Sequence, residues 1–232
     1  LVIKEVAMRN GIYATFMPKP IAGVNGSGMH VHQSLFVGEK NAFFDPGSSN
    51  RLSSVAESFI AGLMSHAASI TLVTNQWVNS YKRLRAGYEA PIYVSWARVN
   101  RGDLIRVPVY NEGQEESVRI EYRAPDPACN PYLTFAVMLA AGLDGVENNM
   151  PMPSPLEGDV NKMTSQERLD KGIKSLPGNL WEAIIVAEQS DLLKTALGDH
   201  VFRSFIQNKK IEWDQYRAQV TNYELDQYLK VL

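Results

Sequence analysis

Arginines recur along the first half of the sequence, from Arg83 to Arg123. Their expected positions at loop ends and on strand faces would let several of them converge on one surface. Guanidinium groups bind phosphate and carboxylate well, because the planar fork donates two parallel hydrogen bonds to either anion. The sequence therefore predicts a protein that handles small anions.

Glu121 lies between two of these arginines. In an extended strand, residues two apart share a face, so Arg119, Glu121 and Arg123 are expected to point one way, while Ile120 and Tyr122 pack behind them. A carboxylate between two guanidinium groups keeps its charge. Glu121 is then either a metal ligand or the middle of a salt-bridge ladder. Spacing alone favours the ladder, because surface ion pairs are common.

A glycine-rich turn precedes a second strand that carries ligand-type side chains. Residues 25–28, Asn-Gly-Ser-Gly, are typical of a tight turn that exposes the backbone, and residues 29–35 indicate a strand. That strand places His30, His32 and Ser34 on one face. Their side chains suit a divalent metal and phosphate oxygens. Taken alone, the segment is better explained as the polar, solvent-facing side of a strand, because a glycine-rich turn is a weak indicator.

Taken together, these segments resemble glutamine synthetases of the bacterial and archaeal type I class over nearly the whole chain. The following segments carry the resemblance in the order and spacing of that family: Lys19-Pro20-Ile21, 25–34 (NGSGMHVHQS), 79–84 (NSYKRL), 87–91 (GYEAP), Asn100-Arg101, Ile105-Arg106, 119–123 (RIEYR), Pro125-Asp126 and 130–133 (NPYL). The resemblance implies transfer of the γ-phosphoryl group of ATP to the side-chain carboxylate of glutamate. Ammonia then displaces phosphate and gives glutamine.

The resemblance also implies roles for individual residues. Binding of the metal, Mg²⁺ or Mn²⁺, is implied for His30 and Glu121. ATP binding is implied for His32, Gln33, Ser34, Arg101 and Arg106. Glutamate binding is implied for Asn25, Gly26, Arg83, Glu89, Arg101 and Arg123. The implied catalytic residues are Glu89, in a flap over the reactive centre, and Arg101, which touches both substrates.

Two positions depart from the pattern of the family. Glu116 lies near the place where many bacterial members have a lysine that helps to hold ATP, so the nucleotide contacts differ there. Asn161 stands where some bacterial members have the tyrosine that is adenylylated. Since an amide side chain has no hydroxyl group, we do not expect regulation by that modification.

Bulk composition indicates a soluble cytoplasmic domain. A length of 232 residues allows one large core, and a net charge of −2 gives no reason to expect a nucleic acid or a membrane as partner. The single cysteine excludes an internal disulfide framework. The longest apolar run, 133–143, is too short to span a bilayer. Because the chain begins inside a predicted amphipathic helix, we expect residues 1–232 to be the carboxy-terminal part of a longer catalytic domain, with further acidic metal ligands upstream.

The elements that position these residues are predicted to form an α+β fold, in which an antiparallel sheet carries the polar face and helices cover its back. Strands are expected over 29–35, 99–107 and 118–123, with a hairpin closed by Lys40-Asn41. A helix is expected over 52–72 and an ordered loop over 75–97. The carboxy-terminal third is predicted to be helical, with caps at Asn130, Thr164, Asn179, Asp199 and Thr221. His66, in the long helix, is assigned no function.

The final segment, 221–232, has a capping-box start and places Leu225, Tyr228, Leu229 and Leu232 on one face of a short helix. Such a helix is not stable alone, so its apolar face needs a partner. That partner is either the core of the same chain or, as the resemblance implies, another subunit in a homo-oligomer of two stacked six-membered rings. We favour the second.

Three functional hypotheses follow from the sequence. The first is an ATP-dependent glutamate–ammonia ligase, and the second is a relative that joins glutamate to another amine. The third is a non-catalytic paralogue, which would have lost residues such as His30, Glu121 or Arg101. The sequence keeps all three of these residues, so we favour the first hypothesis.

Overall fold

A computed structural model of the chain describes residues 1–100, 102–156 and 158–232. It has the predicted α+β architecture. In chain order the elements are α1 (Val2–Arg9), β1 (Val31–Gln33), β2 (Phe36–Val37), β3 (Lys40–Asn41), α2 (Ser54–Thr74), α3 (Ser80–Arg83), β4 (Trp96–Ala97), β5 (Ile105–Arg106), β6 (Ile120–Tyr122), α4 (Pro131–Glu147), α5 (Ser165–Asp170), α6 (Leu180–Glu188), α7 (Asp191–Arg217) and α8 (Asn222–Tyr228).

A four-stranded sheet, in the order β1-β6-β5-β4, carries the charged face. β1 and β6 are antiparallel and place His32 opposite Glu121, while β5 and β6 are antiparallel and place Arg106 opposite the same glutamate. β4 and β5 run parallel, so the sheet is mixed where the sequence predicted only antiparallel pairs. The difference arises because β4, within the predicted loop 75–97, joins the edge of the sheet. That loop also contains the short helix α3.

The predicted hairpin is present, but its turn lies two residues earlier than expected. β2 pairs antiparallel with β3, so Lys40–Asn41 is the returning strand, and the chain turns at Gly38, where φ is 61°. Asn41 is buried, and its Nδ2 donates hydrogen bonds to the carbonyl oxygens of Val118 (2.7 Å) and Glu116 (3.0 Å). The hairpin is thereby tied to the segment that leads into β6.

The back of the sheet is covered by α2, which confirms the predicted long helix. It begins at the cap Ser53, whose side chain accepts a hydrogen bond from the amide of Ala56. Phe59, Leu63 and Ile70 are fully buried in the core. The helix is long and apolar enough to cross a membrane, but 61% of its most apolar window is buried inside the fold, which is typical of a core helix.

Three glycines let α2 and α4 cross with their backbones in contact. A Cβ atom on Gly62 would collide with the carbonyl oxygen of Ala141, and one on Gly145 would collide with the carbonyl oxygen of Ser58. A Cβ atom on Gly142 would enter the ring of Phe59. The two helices therefore approach as closely as their main chains allow.

A polar contact supplements this crossing, where Nε2 of His66 on α2 lies 2.7 Å from Oδ2 of Asp144 on α4. The histidine is thus a hydrogen-bonded packing residue, as expected.

The carboxy-terminal helices begin at most of the predicted caps. The side chain of Asn130 accepts hydrogen bonds at the start of α4, Thr164 forms a capping box with Glu167, and Asn179 caps α6. Beside Asp199, the fourth predicted cap, α7 is interrupted by Gly198 (φ 72°, ψ 153°). Asp199, which follows this kink, pairs with Lys194 and Arg203.

α8 begins with the predicted capping box between Thr221 and Glu224. Its apolar side is exposed, because Leu225 is 45%, Tyr228 50% and Leu229 78% accessible to solvent.

Candidate active site

Glu121 is at the centre of the charged face of the sheet. The pairing of β6 with β5 and with β1 brings a cation and an imidazole to its two carboxylate oxygens. Nε of Arg106 donates to Oε2 at 2.5 Å, and Nδ1 of His30 lies 2.8 Å from Oε1. Only 5% of the Glu121 side chain is exposed. The carboxylate therefore contacts Arg106 and His30 directly.

The charges around Glu121 fix the protonation states of this pair. Burial alone raises the pKa of the Glu121 carboxyl, but the hydrogen bond and charge of Arg106 and the charge of Arg123 outweigh it, so the net pKa is lowered. Burial, followed by the charge of Arg123, lowers the pKa of His30. At neutral pH the pair is a carboxylate beside a neutral imidazole. These are the forms in which both groups ligate metals.

His32, which lies directly opposite Glu121 in the sheet, is also held in one tautomer. Nε of Arg119 donates to Nδ1 of His32 at 3.1 Å, so the ring carries its proton on Nε2. Burial lowers the pKa of His32 as well. Gln33 points to the opposite face of β1, and Ser34 follows the end of that strand. His32 is therefore the member of this predicted group that shares the face of Glu121.

A cavity of about 410 Å³ adjoins this face, and it brings together most of the residues expected to bind glutamate. Its lining residues are Asn25, Gly26, Gly28, His30, Arg83, Tyr88, Glu89, Ala90 and Arg123. His30 connects the cavity to Glu121. Two guanidinium groups, one carboxylate and one imidazole thus face the same small volume.

Arg83 is a firmly held cation of this cavity. It is 4% exposed, and it donates hydrogen bonds to the carbonyl oxygens of Ala124 (2.6 Å) and Arg123 (3.2 Å). Burial lowers the pKa of Arg83 to about 10, against the opposing effect of the Asp126 charge. The guanidinium group therefore stays charged at neutral pH, and it is already oriented.

The glycine-rich turn is shaped by the approach of Arg83. A Cβ atom on Gly26 would collide with the carbonyl oxygen of Pro18 and press on Cγ of Arg83, and one on Gly28 would lie 2.6 Å from Nη2 of Arg83. The turn is also tied back by a hydrogen bond from the amide of Ser27 to Pro18 (2.8 Å). Glycine is needed at both positions, because a side chain would displace the Pro18 backbone at the first and the Arg83 side chain at the second.

Glu89 also borders a second cavity of about 410 Å³. Its remaining lining residues are Asn25, Gly87, Tyr88, Asn100, Gly102, Asp159 and Asn161. Among the described residues, amide and carboxylate side chains predominate here, whereas the first cavity contains two guanidinium groups. Glu89 therefore lies where a volume lined by guanidinium groups meets one whose described lining consists mainly of amide and carboxylate groups.

The donor set can hold part of a metal site. In the chain outside positions 101 and 157, no group of three or more His, Cys, Asp or Glu side chains is placed to hold a metal ion. His30 and Glu121 are in contact, and they offer a neutral nitrogen and an ionised carboxylate, which suit Mn²⁺ or Mg²⁺. They supply two ligands where such ions take about six. The pair fits a metal whose remaining ligands come from elsewhere.

Arg101, which was expected to touch both substrates, lies outside the described residues. Three residues of the cavity beside His30 were not predicted as site residues, namely Gly28, Tyr88 and Ala90. The sequence could have indicated them, because each lies inside a segment that carries the family resemblance and within two residues of a predicted site residue. A larger cavity of about 610 Å³ lies between α2 and the proline-rich segment 150–156. It lies apart from the predicted site residues.

Comparison with known proteins agrees with this geometry. A family model described as the catalytic domain of glutamine synthetase matches residues 1–228. Curated relatives named glutamine synthetase include those of Clostridium saccharobutylicum, 51% identical, and Mycolicibacterium smegmatis, 52% identical. Each match covers 99% of this chain and 51% of the relative. The chain thus spans about half the length of the curated relatives it matches.

Solved structures of a further protein, GmaS, share the fold. Its complex with ADP matches with a TM-score of 0.85 at 36% identity, and the match covers 98% of this chain and 52% of that one. The ligand-free form of GmaS matches with a TM-score of 0.83 at 37% identity and covers 98% of this chain and 50% of that one.

Proposed function

Because the chain belongs to the glutamine synthetase catalytic-domain family, we propose that it forms part of an ATP-dependent glutamate–ammonia ligase. The enzyme would phosphorylate the side-chain carboxylate of glutamate to a γ-glutamyl phosphate. Ammonia would then displace phosphate and give glutamine, ADP and phosphate. The observation that carries the proposal is the cavity in which Arg83, Arg123 and Glu89 face the His30–Glu121 pair.

Glutamate is proposed to bind in the cavity of Arg83. A buried, preorganised guanidinium group binds a carboxylate without the cost of ordering a flexible side chain. Arg123 is suited to the α-carboxylate, and the exposed backbone of Asn25 and Gly26 provides further polar contacts. Arg101 is proposed as the residue that touches both glutamate and the phosphoryl group.

ATP is proposed to bind along the outer part of the sheet face. His32 would contact the nucleotide with its side chain, and Gln33 and Ser34 would contact it through the backbone that follows His32. Arg106 and Arg101 would face the transferred phosphoryl group. His32 has its Nε2 proton free of the bond to Arg119, so it can donate to an acceptor oxygen. The ADP complex of GmaS, which shares this fold, supports a nucleotide site.

A divalent metal, Mg²⁺ or Mn²⁺, is proposed to be held by His30 and Glu121 together with ligands from outside these 232 residues. When bound, such an ion neutralises charge on nucleotide phosphates. The contribution of this chain is to keep Glu121 ionised through Arg106 and His30 neutral through burial.

Glu89 is proposed to act on the amine. It borders both the cationic cavity and the second cavity, lined by Asp159 and three amide side chains. A carboxylate at this boundary can stabilise an incoming ammonium ion and take a proton from it as nitrogen attacks the acyl phosphate. The segment 87–89 would also keep water from that intermediate.

The reaction is tested by assaying the complete enzyme for glutamine formation from glutamate, ammonia and Mg-ATP. Ammonia and small primary amines are compared as acceptors. We expect ammonia-dependent glutamine formation with release of ADP. A product made only with another amine would favour a different γ-glutamyl ligase, and no turnover with any amine would favour a non-catalytic paralogue.

The isolated 232-residue chain is expected to fold but not to form glutamine, because the described part of the chain supplies only two metal ligands. The assay is the same, and circular dichroism confirms folding. Turnover by the isolated chain would contradict the proposal that other residues complete the site.

The enzyme is proposed to be a cytoplasmic homo-oligomer of two stacked six-membered rings. The exposed apolar side of α8, which includes Leu225 and Leu229, is suited to pack against another subunit. We expect removal of residues 221–232 from the complete enzyme to leave single rings in sedimentation experiments. An undiminished double ring would mean that α8 packs on its own subunit.

A further inference from the structure

α7 presents a charged and aromatic stripe to the segment that leads to Arg83. Lys209, Glu212, Trp213 and Tyr216 are spaced i, i+3, i+4 and i+7, so they share one face of the helix. Three of them contact the segment 77–82 directly, through a ring, a backbone amide and a lysine. An apolar stripe would be the usual solution for such a face. The charges on it require an explanation.

Lys209 is buried although it carries a charge. It is 1% exposed, and its Nζ lies 2.8 Å from Oε2 of Glu212 and 3.9 Å from the centroid of the Trp77 ring. A buried ammonium group is costly unless it is paired. Here the carboxylate and the aromatic face both offset that cost. The pairing fixes the position of Glu212.

The other oxygen of Glu212 reaches the backbone of a distant loop. Oε1 accepts a hydrogen bond from the amide of Val78 at 3.1 Å, across 134 positions in sequence. On the other side of this loop, Nε1 of Trp77 donates to the carbonyl oxygen of Ala128 at 2.9 Å. The loop is thus held by α7 on one side and by the turn after β6 on the other.

The same loop continues into the parts of the site that bind anions. The side chain of Asn79 accepts a hydrogen bond from the amide of Lys19 (2.8 Å) and donates one to its carbonyl oxygen (3.1 Å). Lys19 directly follows Pro18, the residue to which the glycine-rich turn is tied. At its other end the loop begins α3, which ends at Arg83. Segment 76–83 therefore links the turn and the buried arginine.

We propose that Lys209 and Glu212 are positioning residues for the glutamate site. Their ion pair holds the Glu212 carboxylate against the Val78 amide, which fixes the loop and thereby the orientation of Arg83 and the glycine-rich turn. The inference rests on the proposed binding of glutamate at Arg83. It accounts for the buried charges, because an apolar pair would fill the same space at no desolvation cost but would offer no acceptor to the Val78 amide.

Two double variants of the complete enzyme separate positioning from packing. Lys209→Met with Glu212→Gln removes both charges and keeps an oxygen acceptor. Lys209→Met with Glu212→Met removes the acceptor as well and has nearly the same shape. We expect the Met/Met variant to raise KM for glutamate about tenfold, as for a lost hydrogen bond to a buried group, with kcat and KM for ATP within about twofold. The Met/Gln variant is expected to raise the glutamate KM less, by about threefold, because an acceptor is retained but the ion pair that holds it in place is lost.

The matched control is a neighbouring, more exposed ion pair at 2.5 Å between Lys210 on α7 and Glu188 at the end of α6. Lys210→Met is expected to leave every kinetic constant unchanged. The inference is overturned if Met/Met keeps the glutamate KM of the wild type, or if Met/Gln and Met/Met raise it equally. Should Met/Met not fold, Leu replaces Met at position 212.

Hydrogen exchange at the Val78 amide gives a readout that does not depend on activity. Exchange of the peptide 76–83 is expected to accelerate strongly in Met/Met and to accelerate less in Met/Gln. If the wild-type enzyme makes no glutamine, the proposed function has failed, and exchange alone then tests the contact. Equal exchange in both variants would show that Glu212 does not hold the loop.

Discussion

The two sides of the sheet are stabilised in different ways. On the back, α2 and α4 meet through apolar side chains and glycine backbones, with Phe59 and Leu63 fully buried. On the front, Glu121 is almost as deeply buried, but its neighbours are Arg106 and His30. The back gains stability from burial itself. The front is stable only while each charge keeps its partner.

This difference shows that the residues that stabilise the fold lie mainly on the back of the sheet, and those suited to bind ligands lie on the front. Apolar packing fills space and is largely indifferent to the chemical state of the solution. The front holds its titratable groups in defined protonation states. Binding of a phosphate, a carboxylate or a metal ion depends on those states. Substitutions on the back should therefore change the free energy of unfolding, and substitutions on the front should change binding.

The largest expected effect is on the back. Phe59→Ala removes a ring that is 1% exposed and packs 5.3 Å, centroid to centroid, from the ring of Phe43. We expect the free energy of unfolding to fall by about 3–5 kcal/mol, because a cavity remains where the ring was. Chemical denaturation measures the loss. Affinity for Mg-ATP, measured well below the unfolding transition, should be unchanged, and a parallel loss of affinity would break the division between the two sides.

The next effect is on the front. Glu121→Ala in the complete enzyme should weaken binding of Mg-ATP by about 2–4 kcal/mol, because it removes a proposed ligand and leaves Arg106 and Arg123 near one another without the carboxylate. Calorimetric titration measures this loss. Glu121→Gln, which keeps the shape but not the charge, should fall between the wild type and the Ala variant. An unchanged affinity in Glu121→Ala would contradict the ligand role.

A smaller effect depends on pH and involves Asp126, which lies just after β6 and is completely buried. Burial raises the pKa of its carboxyl, against hydrogen bonds from Ser80, Asn75 and the Ala128 amide. A raised folded-state pKa favours folding while the group is protonated, and this contribution is lost as the pH rises through the folded-state pKa. Asp126→Asn stays neutral throughout. Its stability relative to the wild type should therefore be higher at pH 7 than at pH 4.

Urea denaturation at the two pH values tests this expectation. The lost contact with Asn75 gives an offset that does not depend on pH, so only the change in the difference is informative. A difference between variant and wild type that is the same at both pH values would contradict the expected sign.

The smallest effect tests whether charge matters by itself or only when it is buried. Glu188→Ala removes the exposed partner of Lys210, whose side chain is 34% accessible. We expect a loss of about 0–1 kcal/mol in the free energy of unfolding, because solvent already screens the pair. Thermal unfolding measures it. A loss as large as that of Phe59→Ala would show that ion pairs stabilise the helical side as well.

Much of the back could be predicted from the sequence, because its signals are local. The apolar spacing along 52–72 and the caps at Asn130, Thr164 and Asn179 marked helices that the structure confirms. These patterns are set within a few turns of chain. Strand lengths and the parallel β4–β5 pair were not predicted, because pairing with a distant edge leaves no local pattern.

The front was predicted through period-2 spacing and recognised segments. Spacing placed Glu121 on a charged face, but it suggested Arg119 and Arg123 as the flanking groups. The carboxylate instead bonds to Arg106, because residues directly opposite in a sheet are closer than residues two apart on one strand. Register across strands cannot be read from one strand alone. The part played by Glu212 was invisible for the same reason, since its partner lies 134 positions away.

The glycine crossing of α2 and α4 bears on how the protein can vary. Gly62, Gly142 and Gly145 have no room for even a methyl group, so a saturation-mutagenesis scan scored by growth would rank them beside the arginines of the cavity. These glycines would be intolerant because the helices could no longer pack, although they take no part in the chemistry of the site. A scan that also scores cellular abundance would separate the two groups, because glycine substitutions deplete the protein itself, whereas cavity substitutions leave an abundant but inactive protein.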